Sequence, residues 1–285
     1  MTVPVPQLER AFDAARGARD ESRSWNGAEI LGVHAEGPFI SPDKKGAQAA
    51  ENIKAPDAGF ALRHKDIIKI MTLAPEMDAG YRAIREIRGN SGMLLSMGHT
   101  GATFEQANGG IEAGIGHATH LFNGMTGLDH RKPGVVGAAL SGNVTTELIA
   151  DMFHVHRGLF GLLYHIKGDR LILITDCIRA GGRPDGEYDL GGQPVSVKGI
   201  ECRLADGTIA GSVLRMNHAV RNFAGNAGIE VWQAVRLASL NPARVIGADG
   251  TKGSLEPGKD ADIIIFDDDF EITRTIRGGR TIYEA

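Results

Sequence analysis

The sequence is short of cysteine: Cys177 and Cys202 are all it has in 285 residues. Two thiols cannot build a disulfide scaffold, and they fit a reducing compartment. No apolar run approaches the roughly 18 residues that signal a membrane span. The first residues have no basic stretch leading into an apolar core, so no secretory signal is read there. Long runs of like charge are also missing, and a net charge of -4 favours neither nucleic acid nor a membrane surface as partner. No repeat of solenoid period and no low-complexity segment occurs. A cytoplasmic globular protein is the expectation. The length suits one large α/β domain or two small ones.

What is present is a series of apolar runs that stop at ionisable residues. Gly98-His99-Thr100-Gly101 and Gly116-His117-Ala118-Thr119-His120 each end such a run. Between them Thr103 and Gln106 have the spacing of a capping box, which predicts a helix of about ten residues. That is the spacing of a strand–helix–strand crossover. Further strands are read at 29–36 ending at Glu36, at 66–76, at 93–96, at 146–151 leading to His154, and at 171–176 ending at Asp176. Leu8, Phe12 and Ala15 mark an earlier helix, Met77, Tyr81 and Ile84 another, and 41–62 reads as a long loop over the strand ends.

Six strands alternating with helices imply a parallel sheet. Ionisable residues at every C-terminal strand end favour a TIM-like (β/α) barrel over an open sheet, whose chemistry gathers at one switch point. A closed barrel of this kind has eight strands. Six are counted, so the expectation is a barrel lacking two strands at its N-terminal end. Residues 1–250 are read as this incomplete barrel, with a β-hairpin insertion at about 187–208. A helix is read through Leu214 and Val220, and another from Ile229 to Leu240 that Asn241-Pro242 stops. Residues 251–285 are read as strands of a small β-sandwich module, two of them joined by Gly278-Gly279.

One carboxylate and two imidazoles, from Glu36, His99 and His120, suit a catalytic divalent ion that keeps a position open for water. Asp176, taken alone, would read as the cap of a following helix; beside three candidate ligands it reads as the group that moves a proton between water and a leaving amine. Arg131, in an Asp129–Gly134 loop, could form a bidentate pair with a phosphate, or be a solvated loop charge. His34 shares a strand face with Glu36 and reads as an interior histidine. In Phe153-His154-Val155-His156 one histidine should face the site and the other away. Cys177 reads as a small buried residue.

With these residues in place, the sequence resembles a known family. Gly32-Val-His-Ala-Glu-Gly-Pro-Phe-Ile40, Gly98-His-Thr-Gly-Ala-Thr103, His117-Ala-Thr-His-Leu-Phe-Asn-Gly-Met125, Arg131-Lys-Pro-Gly-Val-Val-Gly137, Asp151-Met-Phe-His-Val-His156, Thr175-Asp176 and Ala210-Gly-Ser-Val-Leu214 resemble the N-acetylglucosamine-6-phosphate deacetylases of the amidohydrolase superfamily. The likeness runs in order from the Glu36 strand to the C-terminus. It implies a metal-dependent amide hydrolase that releases acetate from N-acetyl-D-glucosamine 6-phosphate. It implies Glu36, His99 and His120 as metal ligands and Asp176 as general base and acid. The ion would be Zn2+, with Fe2+, Co2+ or Mn2+ as alternatives. Ala47, Gln48, Asn123, Gly124, His154, Ile209, Ala210 and Gly211 match the family's substrate contacts. Arg131 matches the arginine that reaches the sugar phosphate from the neighbouring subunit of a homodimer.

Two departures from the family pattern stand out. The family's longer N-terminal segment, with a His-x-His pair on the first barrel strand, has no counterpart here. Gly124 stands where alanine is commoner. Two alternatives follow: a non-catalytic remnant that keeps the ligands, or a deacetylase of the galactosamine 6-phosphate isomer.

Overall fold

The computed structural model describes residues 1–285. Six parallel strands form one curled sheet, a half-barrel, in sequence order: β1 (Val33–Glu36), β2 (Ile68–Leu73), β3 (Leu94–Met97), β4 (Ile115–Ala118), β5 (Thr145–Ile149) and β6 (Leu171–Ile174). Helices lie before and between them: α1 (Val5–Ser22), α2 (Ala58–Arg63), α3 (Arg82–Asn90), α4 (Phe104–Ala113), α5 (Gly134–Ser141) and α6 (Phe160–Lys167). Strict alternation with no reversal of order delivers every strand's C-terminal end to one rim.

The period-2 pattern of the strands explains the two faces of the sheet. Met71, Leu73, Leu95, Leu148, Leu171 and Leu173 are buried in one core with Ile84 and Ile87 of α3, Val135 of α5 and Phe160 of α6. The concave face is polar. Register pairs Glu36 with Thr72, Thr72 with Ser96, Ser96 with His117 and His117 with Thr145, a polar row across five strands. A chain of hydrogen bonds runs along part of it: His34 Nε2 to Thr72 Oγ1 at 2.7 Å, Thr72 Oγ1 to Thr119 Oγ1 at 2.6 Å, and Thr119 Oγ1 to Ser96 Oγ at 2.6 Å. Buried hydroxyls are tolerable there because each has a partner.

The rest of the chain flanks the half-barrel. Strands β7 (Gly186–Leu190), β8 (Gln193–Lys198) and β9 (Glu201–Arg203) form an antiparallel sheet. Gln193 Nε2 of β8 donates to the Ala47 carbonyl at 2.6 Å and ties that sheet to the loop over the rim. Helices α7 (Met216–Ala227), α8 (Val231–Ala238) and α9 (Leu240–Val245) follow, with Phe223 of α7 stacked on Phe160 of α6 at 5.3 Å. A third sheet holds β10 (Ile263–Phe266), β11 (Ile272–Arg277) and β12 (Arg280–Glu284), and it fits a small β-sandwich module. No helix is long and apolar enough to cross a membrane.

Four local readings are corrected. The segment 41–62 is not all loop: Asp57 accepts the Phe60 N–H and starts α2. Tyr81 is not on a helical stripe with Met77, because Gly80 (φ 68°) and Tyr81 (φ 55°) take left-handed turns before α3 begins. The Tyr81 ring instead lies against Gly109, where a Cβ would sit 2.5 Å from its hydroxyl. Leu214 precedes α7 rather than belonging to it. Asn241-Pro242 does not stop a helix; it lies in the first turn of α9, where proline's missing N–H costs nothing. The capping box stands as read: Thr103 and Gln106 bond each other's backbone N–H at the start of the ten-residue α4.

Candidate metal centre

Three of the strand-end residues share an uncommon backbone. His99 (φ 47°), His120 (φ 31°) and Asp176 (φ 49°) all occupy the left-handed region. Non-glycine residues there are uncommon and persist where their surroundings over-determine them. Each strand thus ends in a sharp turn that puts a side chain over the rim.

Glu36 Oε1 lies 2.9 Å from His99 Nε2 and 2.9 Å from His120 Nε2, and the two Nε2 atoms are 3.2 Å apart. All three residues are positioned so that their donor atoms could hold one ion. The His99 Nδ1 contact decides what they converge on. That nitrogen is 2.8 Å from the Lys44 carbonyl, which can only accept, so Nδ1 carries a proton and, in the neutral ring, Nε2 presents a lone pair. With both rings neutral, lone pairs of His99 and Glu36 face each other at hydrogen-bond distance, an arrangement that a cation between them satisfies. Ligands held at about 2.0–2.2 Å from one ion stand roughly 3 Å apart, as these do. The donor set fits a divalent metal.

Without an ion, Glu36 and His120 hold one another in charged form. Burial raises the Glu36 carboxyl, but the His99 and His120 imidazoles outweigh it and hold it well below the usual carboxylate range. Burial lowers His120, and the Glu36 carboxylate more than offsets that, bringing it to about 9. Asp176 moves the other way. Burial, with the Glu36 charge added, raises it to about 6. No helix starts at Asp176, so it is not a cap: its carbonyl accepts the Ser212 N–H at 2.9 Å and the chain turns towards β7.

Other positions singled out in the sequence fall around this centre. Gln48 Nε2 donates to Glu36 Oε2 at 2.6 Å, and its Oε1 accepts the Thr2 N–H. Asn123 Nδ2 donates to the His120 and Leu121 carbonyls at 3.3 Å each. Gly124 (φ 58°) passes close to His99: a Cβ there would sit 3.0 Å from Nδ1. Ile209, Ala210 and Gly211 form a strap tied to β9 through Ala210 N–H to the Cys202 carbonyl and leading to Ser212 beside Asp176. His154 Nδ1 lies 2.6 Å from Asp151 Oδ2, leaving Nε2 free, while His156 is exposed and bonds only the Gly158 N–H.

Arg131 stands apart. It is exposed, in a turn where Asp129 Oδ1 accepts its backbone N–H, and its guanidinium makes no hydrogen bond. Cys177 is exposed rather than buried. Two carboxylates escaped the sequence reading. Glu76, after β2, accepts from Thr100 Oγ1 at 2.5 Å and from the Gly101 N–H at 2.6 Å, bracing the turn beyond His99. Glu147, inside β5, bonds His117 and the His120 backbone. A charged residue in the buried run Thr145-Thr-Glu-Leu-Ile149 was the available signal. A cavity of about 1660 Å³ runs from Glu36, His120 and Asp176 to Phe266 and Ile276 of the C-terminal sheet.

With the geometry in view, comparison with known proteins gives a family. Residues 13–282 match the sequence model of the Amidohydrolase family. The chain belongs to the amidohydrolase family. Its relatives include the N-acetylglucosamine-6-phosphate deacetylase of Bacillus subtilis (strain 168), 42% identical over 269 residues, which are 92% of this chain and 68% of that protein. The N-acetylgalactosamine-6-phosphate deacetylase of Escherichia coli O157:H7 is 38% identical over 273 residues, 94% of this chain and 71% of the relative. A mutant N-acetyl-D-glucosamine-6-phosphate deacetylase from Mycobacterium smegmatis, solved in complex with N-acetyl-D-glucosamine-6-phosphate, superposes with a TM-score of 0.90 at 33% identity. That match covers 99% of this chain and 75% of the other. The chain thus spans about two thirds to three quarters of the length of these amidohydrolases.

Proposed function

We propose that this amidohydrolase removes the acetyl group of N-acetyl-D-glucosamine 6-phosphate, giving D-glucosamine 6-phosphate and acetate. The observation that carries the reading is the convergence of Glu36 Oε1, His99 Nε2 and His120 Nε2 at 2.9–3.2 Å, beside a carboxylate, Asp176, raised to about 6. We assign Glu36, His99 and His120 as ligands of a divalent metal, zinc in the first instance, with Fe2+, Co2+ or Mn2+ as alternatives. Bound there, such an ion lowers the pKa of water and polarises a carbonyl.

The chain's own residues do the rest. Asp176 takes a proton from the attacking water and delivers it to the amine nitrogen, since an amine leaves poorly unprotonated. Gln48 fixes the orientation of Glu36 through Oε2. Ala47, Gln48, Asn123, Gly124, His154, Ile209, Ala210 and Gly211 are assigned to the sugar and its acetyl group. Arg131, its guanidinium free of internal bonds, is assigned to the phosphate of a substrate in the neighbouring subunit of a homodimer.

We read residues 1–250 as the barrel domain, its six strands being strands of a TIM-like barrel, and 251–285 as part of the small β module. Two free cysteines fit the cytoplasm. The non-catalytic alternative is not favoured by the comparisons. The galactosamine isomer remains a second reading because of the 38% identical relative that carries that name. Acetate release from the two sugar phosphates, measured with added Zn2+ and after chelation, tests the proposal. Faster turnover of the glucosamine isomer, lost on chelation, is expected. Turnover unchanged by chelation would remove the metal from the reading, and preference for the other isomer would reassign the substrate.

A further inference from the structure

Glu147 is almost fully buried (4% exposed) on the concave face of β5, and its two carboxylate oxygens do different things. Oε1 accepts from His117 Nε2 at 3.0 Å. Oε2 accepts the backbone N–H of His120 at 3.2 Å. The Glu147 carbonyl takes the next N–H, that of Leu121, at 2.9 Å. One residue of β5 therefore grips both ends of the segment His117–His120 and the residue beyond it.

The grip falls where the chain most needs it. His120 is in the left-handed region with φ 31°, and no other acceptor takes its N–H. The two histidines of the centre also differ. The His99 ring is held from behind by the Lys44 carbonyl on Nδ1. His120 Nδ1 is buried and has no partner. No hydrogen bond behind the His120 ring fixes its direction, so the backbone turn does more to set it, and the turn is held by Glu147. A purely structural site would not favour this residue. No lysine or arginine pairs with Glu147; its neighbours are His117, the His120 amide and His34 Nδ1 at 3.8 Å. A buried carboxylate without a permanent cation is costly, and an apolar side chain would fill the space at lower cost.

We propose that Glu147 is a positioning residue: by clamping the His120 turn it aims Nε2 at Glu36 and His99 and so sets the affinity of the centre for a divalent ion. This rests on the reading of Glu36, His99 and His120 as a metal centre. The clamp requires reach and an acceptor, not charge. In Glu147→Gln the amide oxygen can still accept the His120 N–H. Its NH2 can donate to His117 Nε2, with the His117 proton moved to Nδ1 facing Thr145 Oγ1 (2.6 Å). Glu147→Asp keeps the charge but is one methylene short of spanning both partners. Glu147→Met fills the space with no acceptor.

The test is titration of the metal-stripped protein with Co2+ alone, read by its visible absorption bands. The parent, the three Glu147 variants and His120→Ala are compared, and circular dichroism of each metal-free protein reports folding. The expected result is parent-like binding and bands for Glu147→Gln. Glu147→Asp and Glu147→Met should lose about 10–100-fold in Co2+ affinity, the usual cost of losing a group that orients a ligand, with shifted bands. If Glu147→Met does not fold, the Gln and Asp pair decides. Parent affinity and bands in Glu147→Asp, or losses in Glu147→Gln equal to those in Glu147→Asp, would overturn the inference while His120→Ala still abolished binding. Co2+ binding by His120→Ala equal to the parent, or none by the parent, would overturn the metal-centre reading and this inference with it.

Discussion

His99 and His120 meet with their Nε2 atoms 3.2 Å apart and their rings at 89°, although 21 residues separate them. Two neutral imidazoles can share at most one hydrogen bond between those nitrogens. Glu36 Oε1 competes for the same point at 2.9 Å from each.

From that convergence we expect His99→Ala and His120→Ala each to abolish metal retention and activity together. Metal content of the purified variants, measured beside the parent, is the check. Full occupancy in both would exclude the pair as ligands.

Arg131 lies in a turn held by Asp129 and carries an unbonded guanidinium. Arg131→Ala should therefore leave the fold intact and raise KM for the phosphorylated sugar far more than for its unphosphorylated counterpart, as loss of a bidentate phosphate contact requires. Equal losses on both sugars would sink the phosphate assignment.

A prediction independent of the centre comes from α1. Arg16 binds Asp66 with Nε to Oδ2 at 2.7 Å and Nη2 to Oδ1 at 2.8 Å. The Arg16 hydrogen bond is the main cause that brings Asp66 down from 3.8 to about 2. A carboxylate lowered on folding stabilises the native state above its unfolded pKa, and that contribution is lost as pH falls through the folded value. Asp66 is half exposed, so the pair contributes at most about 1 kcal/mol after screening. Arg16→Met should cost up to that amount at pH 7, with the gap to the parent closing between pH 4 and 2. Urea unfolding at a series of pH values checks this, and a gap that stayed constant to pH 2 would assign the cost to packing.

Much of the fold was legible because its determinants are local. The Thr103–Gln106 box lies three residues apart, and the apolar runs ending at Glu36, His99, His120 and Asp176 mark strand ends without any tertiary knowledge. What was not legible depends on contacts between distant segments. Glu147 bonds an amide 27 residues away and Glu76 an amide 25 residues away, and neither partner has a sequence signature because every residue but proline carries that N–H. The break at Gly80-Tyr81 was missed for a related reason. The ring rests against Gly109, on another helix, where the spacing of Met77, Tyr81 and Ile84 does not point.

Asp176 yields the most mechanistic expectation. Its carboxylate is raised to about 6 by burial and the nearby Glu36 charge, and neither carboxylate oxygen takes a hydrogen bond within the protein. Its backbone at φ 49° narrows the choice of variant, because asparagine tolerates the left-handed region about as well as aspartate and most residues do not. Asp176→Asn therefore keeps the turn, the side-chain shape and the Ser212 N–H bond to its carbonyl. It removes only the ability to accept a proton. Metal content and substrate affinity should be nearly unchanged while kcat falls by about 10²–10⁴, the range for general acid–base work. Between the two roles, loss of the base should dominate for substrates with good leaving groups and loss of the acid for those with poor ones. An Asp176→Asn enzyme turning over at near the parent rate, with metal and structure intact, would place the proton transfer on another residue.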